Sequence, residues 1–314
     1  MAAWKILLTD GLSDTGKTIL KEKNIAFDDK KDIEKEELLA CIADYDALIV
    51  RGRTKVTTDV FEKGTKLKVV GRCGVGVDNI DLNAARQHGV AVVNAPTATT
   101  VAVAEHTMAL MLALVREIPR ADAGIKSGNW YKKEIKGAEL RNKTLGVIGF
   151  GNIGSTVGNY AKAFGMNVIA YDLIATPDQI KQHGGIPVTF DEILQQADFI
   201  TLHVPLTDTT KHMLNADAFA KMKKGVYIIC AARGGVIDEA DLLAALESGQ
   251  VAGAALDVFE KEPPGDSPLV KHPHFIGTPH LGGQTKEAQQ RAAVDIVNEV
   301  LAALEGDTLK WRVA

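Results

Sequence analysis

Gly149-Phe150-Gly151-Asn152-Ile153-Gly154 follows the apolar run Thr144–Ile148, and Asp172 closes the next apolar run eighteen residues beyond the last glycine. Each part has a physical job. Gly149 permits a tight turn, Gly151 lets the backbone approach a pyrophosphate, and Gly154 lets the following helix pack close on the strand. The helix N-terminus then meets the phosphate charge with free amides and its dipole. An acid about 20 residues further on accepts from the adenosine ribose hydroxyls. GxGxxG alone is a weak sign, met equally in a structural glycine turn. Strand, glycines, helix, strand and acid in this order predict a dinucleotide-binding α/β unit.

Outward from that stretch, short β-rich runs alternate with helical segments, the pattern of a parallel sheet with helical crossovers. Strands are expected at 144–148, 167–171, 199–203, 226–230 and 252–256. A first set precedes them, at 5–9, 47–50, 68–71 and 90–93, with helices near 13–23, 35–43, 57–64 and 82–88. Two α/β units are therefore predicted, the second binding the dinucleotide. Residues 99–115, placed between them, are apolar on nearly every face, which a helix tolerates when buried. Ala293, Ile296, Val297, Val300, Leu301 and Leu304 follow helical spacing with no strand after them, so this last helix is expected on the first unit. The predicted fold is α/β, two Rossmann-like parallel-sheet domains with an active-site cleft between them. A discontinuous substrate domain takes 1–96 plus 285–314, and the dinucleotide domain takes 97–284.

Bulk composition narrows the classes. The 314 residues suit two domains. At 46% hydrophobic and 24% charged, the chain is of the ordinary globular type that buries a core. A net charge of −4 supplies no basic field, so neither nucleic acid nor membrane is expected as a partner. Cys41, Cys73 and Cys230 are too few and scattered for a disulfide framework or a zinc cluster, and they suit a reducing cytoplasm. The segment from Met1 reads as a strand entry rather than a secretory signal, since its short apolar stretch ends at Asp10. His272-Pro273-His274 with His280 invites a metal, but no thiolate or spaced carboxylate set accompanies them, and none is expected.

Gly11-Leu12-Ser13-Asp14-Thr15-Gly16-Lys17-Thr18 matches the phosphate-loop pattern GxxxxGK[ST] after a strand. Three features oppose an NTPase. Asp14 sets a carboxylate inside a loop whose amides should cradle phosphate oxygens. The helix after Thr18 has barely two turns before Asn24 and the next strand. Asp172, the one candidate for a magnesium-holding acid, already belongs to the later fingerprint. The motif is read as a surface turn and helix start.

Three later segments carry more chemistry. They are Ala231-Ala232-Arg233-Gly234-Gly235-Val236-Ile237-Asp238, then Ala254-Ala255-Leu256-Asp257-Val258-Phe259-Glu260-Lys261-Glu262-Pro263, then Thr278-Pro279-His280-Leu281-Gly282-Gly283. This ordered set resembles the D-isomer-specific 2-hydroxyacid dehydrogenases. Further matches spread over most of the chain, at Val50–Lys55, Gly71–Asn79, Ala104–Thr107, Gly128–Trp130 and Phe199–Leu206. Their density and order are most similar to the branch acting on 3-phosphoglycerate.

The residue types also suit the reaction by themselves. Moving a hydride off a carbon that bears a hydroxyl needs a base for the O–H proton, and the reverse needs an acid. Histidine does this near neutral pH, which makes His280 the candidate. A carboxylate on the other ring nitrogen fixes the tautomer, a role that suits Glu262. Arg233 offers a planar fork of donors for the substrate carboxylate and carbonyl oxygen, which lysine lacks.

The resemblance implies the rest. Asp257 would accept from the nicotinamide carboxamide, and Gly74, Val75 and Gly76 would form a tight loop whose amides take the substrate carboxylate. Cofactor contacts are implied at Val75, Thr107, Gly149, Gly151, Asn152, Ile153, Gly154, Asp172, His203, Val204, Pro205, Ala231, Ala232, Arg233, Asp257, His280, Gly282 and Gly283. Asp172 repels a 2′-phosphate, and Leu173-Ile174-Ala175 offers no arginine to compensate, so NAD is expected over NADP. Arg51 and Arg53 flank a glycine, and in the resembling enzymes such a turn contacts the substrate's distal phosphate. Trp130 resembles a residue that reaches across a dimer interface, implying a homodimer. Cys230, and Thr97 through Thr100, stand where the family usually carries Asn. Because the chain ends at Ala314, no C-terminal regulatory domain is expected. The implied activity is oxidation of 3-phosphoglycerate to 3-phosphohydroxypyruvate towards serine, by a cytoplasmic enzyme. Its alternatives are a glyoxylate or hydroxypyruvate reductase on the same scaffold and, from another class, an NAD-sensing corepressor.

Overall fold

The structure, a computed structural model, describes residues 4–314; residues 1–3 of the expected strand entry lie outside the described residues. The chain divides into two compact units, Met1–Thr99 with Gly283–Ala314, and Thr100–Gly282. Residues 97–99 and 283–284 thus fall in the first unit.

The first unit runs β1 (Lys5–Leu8), α1 (Asp14–Glu22), β2 (Ala26–Asp29), α2 (Lys35–Cys41), β3 (Ala47–Val50), α3 (Thr58–Lys63), β4 (Val69–Arg72), α4 (Leu82–Gln87) and β5 (Ala91–Asn94). All its strand pairs are parallel, in the order β2-β1-β3-β4-β5. Ala47-Leu48-Ile49-Val50 is buried along its whole length, as a strand covered by helices on both faces must be. The strand β2 fills the place after Asn24 where a strand was expected without bounds. Ala26-Phe27-Asp28-Asp29 is half acidic, and an edge position tolerates it because Asp28 faces Lys5 and the Tyr45 hydroxyl.

Asp14 opens α1 in the middle of the phosphate-loop pattern, so Gly16, Lys17 and Thr18 are helical. Lys17 pairs with Asp29, and Gly16 lies against Leu12 and Ala293. A helix cannot wrap its amides around a phosphate as that loop does, and the NTPase alternative is set aside.

The second unit opens with α5 (Thr100–Val115) and α6 (Ile118–Lys126), then β6 (Thr144–Ile148), α7 (Asn152–Ala163), β7 (Asn167–Tyr171), α8 (Pro177–Gln182) and β8 (Ile186–Pro187). It continues through α9 (Phe190–Gln196), β9 (Phe199–Leu202), α10 (Ala216–Lys221), β10 (Val226–Cys230), α11 (Glu239–Glu247), β11 (Val251–Leu256) and β12 (Phe275–Gly277). Its parallel sheet has the order β12-β11-β10-β9-β6-β7-β8. The edge strands β8 and β12 are two and three residues long, too short to register as periodicity. Helix α5 packs against α7 and β11, with nine of its residues buried. It is not buried on every side. Met108, Ala109 and Leu112 line an apolar groove of about 360 Å³ with Tyr160, Ala163 and Phe164.

The last helix, α12 (Lys286–Glu305), returns to the first unit. Ile296, Val297 and Val300 enter the same core as Ile6, Leu8 and Ile49. Gly71 in β4 permits that approach, since a Cβ there would stand 2.6 Å from Val300 Cγ2.

Strand order reverses between β9 and β6 in the second sheet and between β1 and β3 in the first. Open parallel sheets bind ligands outside the carboxyl ends of their strands at such points.

Candidate active site

The glycine loop leaves the carboxyl end of β6 at the reversal point and runs into α7, with Gly151 as the N-cap. Gly149 adopts φ +88°, and a Cβ there would meet the His203 carbonyl. A Cβ on Gly154 would overlap the Gly149 carbonyl oxygen, so helix and loop pack with no room for a side chain. A Cβ on Gly151, in contrast, meets nothing within 4 Å. The loop is closed on its inner side and open on the side a pyrophosphate would approach. Asp172 ends β7 and accepts from the amides of Phe150 (2.6 Å), Ile174 (2.7 Å) and Ala175 (2.8 Å). Two carboxylate oxygens offer about four acceptor positions, and with three taken one remains, on Oδ2, for a ribose hydroxyl. These residues fit a dinucleotide.

His203, Val204 and Pro205 follow β9. The His203 Nε2 lies 3.0 Å from Thr201 Oγ1, while Nδ1 is buried without a hydrogen-bond partner. Burial pushes this imidazole down to about 3, so it is neutral. Thr107 is fully buried and its hydroxyl donates to the Val103 carbonyl, a bond within α5.

Strands β10, β11 and β12 lead into the acid–base candidates. Ala231, Ala232 and Arg233 follow β10, and the Arg233 Nη1 donates to the Ala232 carbonyl (2.6 Å). Cys230, whose thiol burial pushes up to about 11, lies with Sγ 3.9 Å from the Arg233 carbonyl, a weak S–H donor to the same turn. Gly234 touches the segment after β11 so closely that a Cβ would overlap the Phe259 carbonyl. From that segment Glu262 accepts from the Phe259 amide through Oε1 (3.2 Å) and meets His280 Nδ1 through Oε2 (2.9 Å). The His280 and Glu262 side chains are 52% and 41% exposed, so the pair is open to a small molecule. With Nδ1 held by the carboxylate, Nε2 is the ring atom left for proton transfer.

Asp257, buried at the end of β11, accepts from Thr278 Oγ1 (2.6 Å) and the Leu281 amide (2.7 Å) through Oδ1, and from the Gly282 amide (2.8 Å) through Oδ2. Burial works against its charge. Hydrogen bonds from His106, Thr278, Leu281 and Gly282 outweigh that and hold the carboxyl below the usual range.

In the first unit, Arg51 and Arg53 follow β3 at the reversal point. They are not equivalent. The Arg53 Nη2 donates to the carbonyls of Lys31 (2.9 Å) and Ile33 (3.1 Å), tying loop to turn. The Arg51 side chain makes no hydrogen bond or ion pair among the described residues. Sequence reasoning missed the residues that shape this turn. Asp10 accepts from the amides of Arg51 and Thr54 and from the Thr54 hydroxyl, while Asn79 donates to the carbonyls of Arg51 and Thr54. An acid directly after β1, at the reversal point, was the available signal. Asn94 and Ala95 donate to the carbonyls of Val75 and Gly74. A trans peptide points its N–H opposite to its C=O, so the amides of Val75 and Gly76 face away from β5. Arg72 was also missed; its guanidinium lies where a Gly74 Cβ would be.

Comparison with known proteins identifies the family. The family model described as D-isomer specific 2-hydroxyacid dehydrogenase, NAD binding domain, matches residues 108–282. D-3-phosphoglycerate dehydrogenases of Bacillus subtilis and Methanocaldococcus jannaschii are each 50% identical over 96% of this chain, covering 57% and 58% of their own lengths. The human D-3-phosphoglycerate dehydrogenase is 45% identical over 97% of the chain and 57% of its own. The chain thus spans somewhat over half the length of these curated relatives. Among solved structures, a glyoxylate reductase from Paecilomyes thermophila superposes with a TM-score of 0.90 at 31% identity, covering 100% of this chain and 99% of that one. The Aquifex aeolicus D-lactate dehydrogenase complexed with NAD and lactic acid gives 0.81 at 32%, covering 96% of each. The matched family model makes residues 108–282 an NAD-binding domain, and the chain belongs to the D-isomer-specific 2-hydroxyacid dehydrogenase family.

Proposed function

We propose that the chain is an NAD-dependent oxidoreductase acting at C2 of a D-2-hydroxy acid, with 3-phosphoglycerate and 3-phosphohydroxypyruvate as its substrate pair, the first oxidation towards serine. The observation that carries this is the 2.9 Å His280–Glu262 contact, on the strand-end edge that also bears the glycine loop. Bound NAD supplies the hydride acceptor. The chain's residues do the remainder. His280 takes the hydroxyl proton at Nε2 during oxidation and returns it to the carbonyl oxygen during reduction, while Glu262 holds the ring. Such a positioned acid–base contributes about 10²–10⁴-fold. Arg233 grips the substrate carboxylate and polarises the carbonyl. Within the first unit, the amides of Val75 and Gly76 are the candidate donors to substrate. Asp172 favours NAD by repelling a 2′-phosphate.

For the distal phosphate, Arg51 is the contact and Arg53 the brace, since the Arg53 guanidinium already serves main-chain carbonyls. That engagement is also the observation favouring a second reading, a glyoxylate or hydroxypyruvate reductase, because one arginine makes a weaker phosphate site than two. A homodimer is supported by the apolar α5–α7 groove and by Trp130, 74% exposed. Three free cysteines suit a cytoplasmic location, and no helix among the described residues is long and apolar enough to cross a membrane.

The test is a spectrophotometric NADH assay with phosphohydroxypyruvate, hydroxypyruvate, glyoxylate and pyruvate. Phosphohydroxypyruvate should give the highest kcat/KM. Arg51→Ala should raise its KM by about tenfold or more, the size of one lost charge-assisted hydrogen bond, and leave the KM for glyoxylate within about twofold. Equal rates on glyoxylate, with no effect of Arg51→Ala, favour the reductase.

A further inference from the structure

His280 is bound to the rest of its unit by a strained backbone. Its φ is +53°, a left-handed conformation that a residue with a branched ring occupies only when its surroundings impose it. What imposes it is Asp257. The Asp257 carbonyl accepts from the His280 amide (2.9 Å), and its carboxylate accepts from the next two amides, Leu281 and Gly282. Three consecutive amides of the turn that carries the imidazole thus converge on one buried residue. A Cβ on Gly282 would stand 3.1 Å from Asp257 Oδ2, so the turn has no slack on that side.

Asp257 is itself held. Thr278 has one hydroxyl proton and gives it to Asp257 Oδ1 at 2.6 Å. The hydroxyl oxygen can then only accept from His106 Nε2, 3.0 Å away, which places a proton on that nitrogen. The same nitrogen lies 3.2 Å from Asp257 Oδ1. His106 belongs to α5, at the start of the unit, and Thr278 directly precedes the His280 turn. One side chain of the first helix therefore reaches the carboxylate that shapes the last turn.

We propose that His106 and Thr278 are positioning residues for the acid–base pair: through Asp257 they lock the left-handed turn that presents His280 to Glu262. Neither needs to touch substrate or cofactor. The effect is mechanical. If the hydroxyl or the ring is removed, Oδ1 loses a donor and the Leu281 amide loses its rigid acceptor, so the imidazole samples more than one orientation. A misplacement of about 1 Å at a reacting group costs up to 10²-fold in rate.

This inference rests on the role given to His280 above, and the experiment separates the two. The protein is prepared with ¹³C-labelled histidine as wild type, Thr278→Val, Thr278→Ser and His106→Leu. Ring C–H resonances of His280, assigned with His280→Gln, are followed by NMR beside kcat, the dissociation constant of NADH and thermal stability. Wild type should show one sharp set of ring signals. Thr278→Val and His106→Leu should displace and broaden them and lower kcat about tenfold or more, with the NADH dissociation constant within threefold. Thr278→Ser, which keeps the hydroxyl, should restore both. Unchanged ring signals in Thr278→Val and His106→Leu overturn the proposal, as does failure of both variants to fold, which makes the network a stability device. A wild type that reduces none of the four oxoacids sinks the proposed function instead, while the ring signals still report on the turn.

Discussion

His280 and Glu262 stand eighteen residues apart in the chain and meet because two neighbouring parallel strands, β11 and β12, end side by side. Arg233 comes from β10, the next strand in the sheet. Their types alone made these side chains candidates for proton transfer and carboxylate binding. Their partners were not legible in the sequence. Nothing in Val50-Arg51-Gly52-Arg53 distinguishes two arginines, yet one guanidinium binds main-chain carbonyls and the other does not. The consequence for His280 is direct. If His280 is the proton carrier proposed above, His280→Ala should lower kcat by about 10²–10⁴-fold in the NADH assay while NADH binding persists. Glu262→Gln keeps an acceptor for the Nδ1 proton and loses only the charge, so its kcat should fall less than that of His280→Ala. A larger fall in Glu262→Gln would contradict the assigned roles.

Helix α7 illustrates how a motif becomes an element. Its buried face is Gly154, Ser155, Val157, Gly158 and Ala161, small residues that let the backbone lie near β6 and β7. That much follows from the spacing of the glycines. Helix α5 shows the limit. Its composition predicts burial all round, but the flank bearing Ala109 and Leu112 is left open beside Phe164, and Val101 is 43% exposed. Apolar periodicity reports which residues avoid water and is silent on whether a second chain covers them. If the α5–α7 groove is a homodimer face, wild type should show the mass of two chains by light scattering at micromolar concentration, and Leu112→Asp should yield one-chain mass with unchanged secondary structure. A wild type of one-chain mass removes the homodimer proposal.

The whole protein couples stability to pH through groups buried in both units. Burial holds His203 down at about 3, against 6.5 in an unfolded chain. The unfolded state therefore binds the extra proton, and stability is lost as pH falls below about 6.5, by at most about 1.4 kcal/mol per pH unit for one group. Asp257, held below the usual 3.8 in spite of its burial, contributes stability that is present above that value and lost as pH falls through its folded pKa. On the alkaline side, burial pushes the thiols of Cys73 and Cys230 up to about 11 from 9.0. Their contribution is complete below pH 9 and disappears as pH rises towards 11. Urea midpoints should form a plateau between about pH 6.5 and 9 and decline on both sides. His203→Gln should remove part of the decline between pH 6.5 and 5; an unchanged slope there would show that His203 is not the group responsible.

The sequence by itself determined the two α/β units, the glycine loop and the three segments that hold the acid–base candidates. It does so because these are local requirements. A turn that leaves no space for Cβ demands glycine whatever lies elsewhere, and buried parallel strands demand unbroken apolar runs. Tertiary structure alone decided that Ala26–Asp29 is an edge strand and that Arg53 is a brace. It alone also joined His106 to Thr278, 172 residues further along, above a buried carboxylate. Such contacts depend on which strand ends lie side by side, and sheet order is a property of the folded chain that no single segment encodes.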